Sequence, residues 1–172
     1  MIGNINLNNI KVAIFDFDDT LAIHRDKDYA NKRNEDYNVF LDFYKNAYLN
    51  SDNFYDEIEV CDMSDSLYKF IDMLRKQGTK LYVLSGMKFS FQLKAKTNFV
   101  HKYYGNDIEV IMARSQEMKV DGVKVLQRIN NCRLDEILFV DELKENIDRF
   151  KNMGINALLP SEVERIIINS ND

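Results

Sequence analysis

The stretch Lys11–Leu21, KVAIFDFDDTL, decides how the chain is read, because an apolar run delivers three carboxylates and a threonine to one point. Val12, Ala13, Ile14 and Phe15 form the short continuous apolar segment expected of a parallel strand covered on both faces. Asp16 marks its carboxyl end. Ligands in open α/β sheets bind outside the carboxyl ends of the strands, so acids placed there stand where chemistry is expected. Two readings compete for the cluster. Asp18, Asp19 and Thr20 could form a solvated turn that caps a following helix. Alternatively the cluster is a cation site: three carboxylates within four positions repel one another and raise each other's pKa unless a cation neutralises them. A hard divalent ion, magnesium first among them, removes the conflict.

Working outward, 172 residues with 45% hydrophobic content make one domain, spanning 1–172, with room for a small appendage. The net charge of −5, with acids and bases intermixed, lacks the basic stripe that nucleic-acid binding requires. Cys61 and Cys132 lie far apart with no CxxC or Cys/His cluster, which argues against zinc and against a disulfide framework. The opening MIGNINLNNI has no basic leader, and no apolar run approaches the roughly 18 residues of a membrane span. The expectation is a soluble, cytoplasmic protein.

The next strand is Lys80–Ser85, KLYVLS, leaving residues 22–79 between, whereas a parallel crossover needs only about a dozen. Leu67, Phe70, Ile71 and Leu74 fall at i, i+3, i+4 and i+7 with Gly78 placed as a C-terminal cap, so one helix closes the crossover. The excess, about 22–62, reads as a small helical cap inserted after the first strand. Within it Phe40, Phe43, Tyr44, Ala47 and Tyr48 share one helical face. The charged segment HRDKDYANKRNED reads as an exposed loop, and Ser51–Asn53 as a turn. Beyond Ser85 come a helix near Phe89–Tyr103, a strand at Ile108–Met112, a helix from about Gly122 to Asn130, a strand at Ile137–Val140, a helix from Lys144 to Met153 ending at Gly154, and a strand at Asn156–Leu159. Pro160 and Ser161, with Glu164 three places after the serine, resemble a capping box, and Val163, Ile166 and Ile167 give a last helix its apolar face. Five strands alternating with helices predict an α/β fold, a doubly wound (Rossmann-like) parallel five-stranded sheet.

Further polar groups stand at or just beyond the other strand ends: Ser85 and Gly86, Lys119, and Asp141 with Glu142. Delivered to one edge, they would supply a nucleophilic acid, a hydroxyl beside a flexible amide, a fixed cation and a metal-binding acid pair. That inventory suits phosphoryl transfer, where positioning and charge neutralisation supply most of the catalysis.

FDFDDTL resembles the signature of the haloacid dehalogenase-like (HAD) superfamily, mainly magnesium-dependent phosphatases with an aspartyl-phosphate intermediate. VLSG at Val83–Gly86, Lys119 ahead of an amphipathic helix, and FVDELKENI from Phe139 to Ile147 resemble the family's second, third and fourth motifs, so the resemblance spans residues 11 to about 159. It implies Asp16 as nucleophile and Asp18 as general acid, then base. It further implies magnesium (Mg2+) held by Asp16, the Asp18 backbone carbonyl and Asp141. Thr20, Ser85 and the Gly86 amide would bind the substrate phosphate, and Lys119 would steady both nucleophile and transferring group. The implied partner is a small phosphorylated substrate. Glu142 departs from the commonest pattern, where a second aspartate stands, so it either acts through water or has no role. Asn146 either supports Asp141 and the metal's waters or is an exposed polar residue.

Lys124 competes with Lys119 as the site cation but falls within helical periodicity as a solvated residue. His24 and His101 read as incidental. The expected function is therefore hydrolysis of a phosphomonoester. Two alternatives stay open: phosphotransfer to another acceptor through the same intermediate, and a phosphate- and metal-sensing module like a receiver domain. Against the latter, receivers carry their phosphorylated Asp after the third strand and lack the long insertion.

Overall fold

The computed structural model describes residues 5–25, 36–49, 54–55 and 61–169. Five parallel strands form the central sheet. In chain order they are β1 (Val12–Phe15), β4 (Lys80–Gly86), β5 (Glu109–Ala113), β6 (Ile137–Val140) and β7 (Asn156–Leu158). Their order across the sheet is β5-β4-β1-β6-β7. The chain starts in the middle strand and winds outward in both directions, so the topological switch point, where ligands bind in such sheets, lies beside β1.

The five strands fall where the apolar runs place them: the central β1 and β6 are buried throughout, whereas the edge strand β5 is buried only at Ala113. In β1 all four residues are fully buried. Ala13 and Phe15 pack into a core with Leu67, Phe70, Ile71 and Leu74 of α2 (Asp65–Lys76), Ala95, Phe99 and Val100 of α3 (Phe91–Tyr103), and Val163 of α6 (Pro160–Asn169). Val12 and Ile14 face the opposite core, with Val123 and Leu126 of α4 (Gln116–Ile129) and Ile147 and Phe150 of α5 (Lys144–Asn152). Burying each large side chain contributes about 1.5–3 kcal/mol. Gly78, just past α2, takes φ +83°, the left-handed conformation that a helix-terminating residue needs and that glycine adopts without a Cβ clash.

Several expectations are corrected. The insertion is not purely helical: it leaves and rejoins the sheet domain through an antiparallel ribbon, β2 (Ala22–His24) against β3 (Cys61–Met63). The Tyr104 hydroxyl fastens both ends of this stem, donating to the Leu21 carbonyl at 2.5 Å and accepting from the Ser64 amide at 2.8 Å. Between the two strands lies α1 (Tyr37–Leu49). The side chains of Phe40, Phe43, Tyr44 and Ala47 lie outside the described residues, as do most of the charged loop and the turn at 51–53, while Tyr48 is exposed. Helix α4 begins at Gln116, not near Gly122, capped by Ser115, whose hydroxyl accepts from the Met118 amide at 3.2 Å; Lys119 therefore lies inside the helix. At α6 the reciprocal cap joins Leu159 and Glu162, whose carboxylate accepts from the Leu159 amide at 2.8 Å, in place of Ser161 and Glu164. Pro160 takes the first helical position, where its missing N–H costs nothing. Cys61 and Cys132 are buried thiols that are not joined in a disulfide. Among the described residues no helix is long and apolar enough to cross a membrane.

Candidate active site

Asp16 and Asp141 each extend a strand by one residue. The Asp16 amide donates to the Val140 carbonyl at 2.8 Å and the Asp141 amide to the Leu158 carbonyl at 3.3 Å, continuing the ladders of β1 and β6. Since Phe15 is registered with Val140, the two aspartates that follow emerge side by side. Lys119 reaches both from α4: its Nζ lies 2.8 Å from Asp16 Oδ1 and 3.0 Å from Asp141 Oδ2. The reach is natural, because a helix following a parallel strand starts at the strand's carboxyl edge and its side chains lean back toward that start. All three residues are buried.

Asp141 is the most tightly held of the acids. Besides Lys119, the Asn146 side-chain amide donates to Oδ2 at 2.8 Å and the Leu143 backbone N–H to Oδ1 at 2.9 Å. Asn146 is buried and orients Asp141, which decides between its two readings. Glu142 accepts from the Thr20 hydroxyl at 2.9 Å; Thr20 thus bonds a neighbouring acid here. Asp16, Asp141 and Glu142 each offer one oxygen, all within 4.8 Å of one another. Glu142 accordingly stands in the acid cluster despite its extra methylene.

Three acids around one ammonium leave the cluster short of positive charge. Burial pushes Asp16 up to about 6 against the pull of Lys119, with Asp141 and Asp18 pushing further. Burial, then Asp16 and Asp141, push Glu142 up to about 8. Burial works against the Lys119 ammonium, but Asp16 and Asp141 outweigh it and hold its pKa above the ordinary value. A hard divalent cation matches this set of oxygen donors and relieves the repulsion that raises the two acids.

The loop after β1 is a tight turn and caps no helix, which removes the solvated-cap reading of Asp18, Asp19 and Thr20. The Thr20, Leu21 and Ala22 amides converge on the Phe17 carbonyl at 3.4, 3.0 and 3.0 Å. Asp19 takes φ +54°, which aspartate tolerates better than most residues. Among the described residues no donor engages the Asp18 carbonyl. The Asp18 side chain instead meets Lys96, whose Nζ lies 2.5 Å from Asp18 Oδ2, 2.7 Å from Ser85 Oγ and 3.3 Å from the Gly86 carbonyl.

Lys96 is the residue that sequence reading missed. The signal was present: Gln92, Ala95, Lys96, Phe99 and Val100 repeat at the spacing of a buried helical stripe and all are buried, so a lysine stands where an apolar residue belongs. Lys124 is half-exposed, with Asp121 at 3.8 Å, and Lys119 alone of the two enters the cluster. His101 Nε2 bonds with the Ile108 carbonyl at 3.1 Å, and His24 lies on β2.

No protein-family model and no curated protein matches the chain. Solved structures do. A protein of Porphyromonas gingivalis described as a predicted HAD-like family hydrolase aligns with TM-score 0.54 at 16% identity, over 88% of this chain and 91% of that one. A HAD family enzyme of Bacteroides thetaiotaomicron, solved in complex with magnesium and inorganic phosphate, aligns with TM-score 0.53 at 13% identity, over 87% and 93%. The chain has the HAD-like fold, as its motifs predict.

Proposed function

We propose that this protein is a magnesium-dependent phosphatase of the HAD type, hydrolysing a phosphomonoester through an aspartyl-phosphate on Asp16. The observation that carries the reading is the convergence of Asp16, Asp141, Glu142 and Lys119 at the switch point, with Asp18 and Ser85 joined through Lys96 on the neighbouring strand end. That a HAD family enzyme with the same fold was solved with magnesium and phosphate supports the choice of ion and ligand.

In this reading Asp16, Asp141 and the Asp18 carbonyl hold magnesium, with Glu142 beside them. Bound there, the ion neutralises the acids and the charge on the phosphoryl oxygens. An Asp16 carboxylate oxygen bonds to phosphorus as the ester P–O bond breaks, and Asp18 gives its proton to the departing oxygen. Asp18 then takes a proton from water as the water oxygen attacks phosphorus, which releases phosphate and restores Asp16. Lys119 holds Asp16 in place and faces the transferring group, while Ser85 and the Gly86 amide donate to its oxygens. The insertion at about 22–62 serves in this reading as a small cap.

The test is phosphate release from a panel of nucleotides, sugar phosphates and phosphorylated proteins with magnesium present. Wild-type protein should release phosphate from at least one class, and Asp16→Asn should lose at least about 10³-fold in kcat, since an amide cannot form the acyl phosphate. Undiminished turnover in Asp16→Asn would remove the nucleophile assignment.

A further inference from the structure

Lys96 poses a problem that the fold does not solve. Its side chain is 1% exposed, and taking an ammonium out of water costs several kcal/mol before any pairing. A methionine of similar reach would pack against the neighbouring Phe17 and Tyr55 rings without that cost, so core stability does not account for a lysine at this position. What the lysine touches does. An ammonium has three N–H donors, and the three acceptors around Lys96 are Asp18 Oδ2, Ser85 Oγ and the Gly86 carbonyl. The Phe17 and Tyr55 ring centroids, 4.7 and 5.5 Å from Nζ, hold the charge from the remaining side as aromatic faces hold cations.

Two consequences follow from the geometry. Asp18 is itself 42% exposed, and with Oδ2 held by Lys96 the other oxygen, Oδ1, is the one left to carry a proton. Ser85 Oγ accepts from Lys96 and directs its own proton toward the Gly86 carbonyl, at 3.4 Å.

We propose that Lys96 is a positioning residue that presents Asp18 Oδ1 to the leaving oxygen. The role rests on the phosphatase reading. It places the proton on Oδ1 during transfer while Oδ2 keeps its bond to Lys96, so no charge is created or lost at the lysine. Esters whose leaving oxygen needs a proton, such as alkyl phosphates, therefore depend on Lys96. An ester with a good leaving group, such as p-nitrophenyl phosphate, does not.

The test compares wild type, Lys96→Met, Asp18→Asn and the double variant on p-nitrophenyl phosphate and on the best alkyl phosphate of the panel. kcat/KM reports the steps up to release of the alcohol and so isolates proton delivery from later hydrolysis. Lys96→Met should lose about 10²-fold on the alkyl ester and no more than about threefold on the aryl ester. Asp18→Asn should show the same selectivity, and the double variant should be no worse than Asp18→Asn, because the two act as one unit. A loss equal on both esters, or losses that multiply in the double variant, overturns the positioning role while leaving the phosphatase reading intact. Wild-type protein inert on every ester overturns both. Lys96→Gln keeps an uncharged amide with two N–H donors near the same place; it should regain part of the alkyl-ester rate, and it carries the test if Lys96→Met fails to fold.

Discussion

Glu142 shows at one residue how burial and charge are balanced here. Its carboxyl, pushed up to about 8 by burial and by Asp16 and Asp141, is mainly protonated near neutrality without metal, and Thr20 donates to it at 2.9 Å. Glu142→Gln keeps the shape and the neutral state while deleting the capacity to become an anion. The metal-free variant should melt within about 2–4 °C of wild type, as expected for a change below 1 kcal/mol in a chain of this size. Its magnesium affinity should fall by about 10–100-fold, as titration calorimetry would measure. Unchanged affinity would return Glu142 to the role of bystander. Much at this scale was legible in the sequence: Asp16 and Asp141 stand directly after strand ends, and Lys119 on the helix that follows another. Lys96 was not, because a lysine on a helix is read as solvated by default, and only its place within the stripe Gln92, Ala95, Phe99 and Val100 shows otherwise.

Among the elements, α4 governs where Lys119 sits, and Gly122 governs α4. A Cβ at Gly122 would stand 3.1 and 3.2 Å from the two Leu84 methyls, and Leu84 is fully buried in β4, so the helix lies this close to the sheet only because glycine is there. Gly122→Val, whose branched side chain cannot avoid those methyls, should cost about 1–3 kcal/mol by overpacking. Because Lys119 is less than one turn away, the displaced helix should also lower kcat by about tenfold or more in folded protein, since sub-ångström misplacement is felt at such sites. Melting temperature together with kcat checks this; a destabilised variant with normal kcat would show that Lys119 does not depend on the close approach. The start of α4 escaped sequence reading because its first turn, Gln116 to Lys119, carries only the exposed Met118 as an apolar residue, and Met118 stands where a capping box would place Glu or Gln. The β2–β3 ribbon escaped for a different reason: strands of three residues are too short for alternation to register. The central strands β1 and β6 were legible because burial at every position demands unbroken apolar runs.

For the whole molecule, the acid cluster would couple binding of the proposed magnesium ion to folding. Asp16 and Glu142 have folded-state values of about 6 and about 8, above the ordinary 3.8 and 4.5. In the metal-free protein the native state therefore binds protons more tightly than the unfolded chain does. That contribution to stability is fully present below pH 4, and it is lost as pH rises through about 6 and then about 8, at no more than about 1.4 kcal/mol per pH unit for each titrating group. Magnesium opposes this dependence and at saturation flattens it, because it binds the deprotonated carboxylates of the native state and so competes with protons. Metal-free protein should melt at lower temperature at pH 8 than at pH 6. Millimolar magnesium should raise the melting temperature more at pH 8 than at pH 6, with proton release on binding seen as a buffer-dependent enthalpy. In Glu142→Gln the part of both effects above pH 7 should disappear. A magnesium-induced rise equal at the two pH values would mean that the ion binds away from these carboxylates, and the convergence of β1, β6 and α4 would then need another explanation.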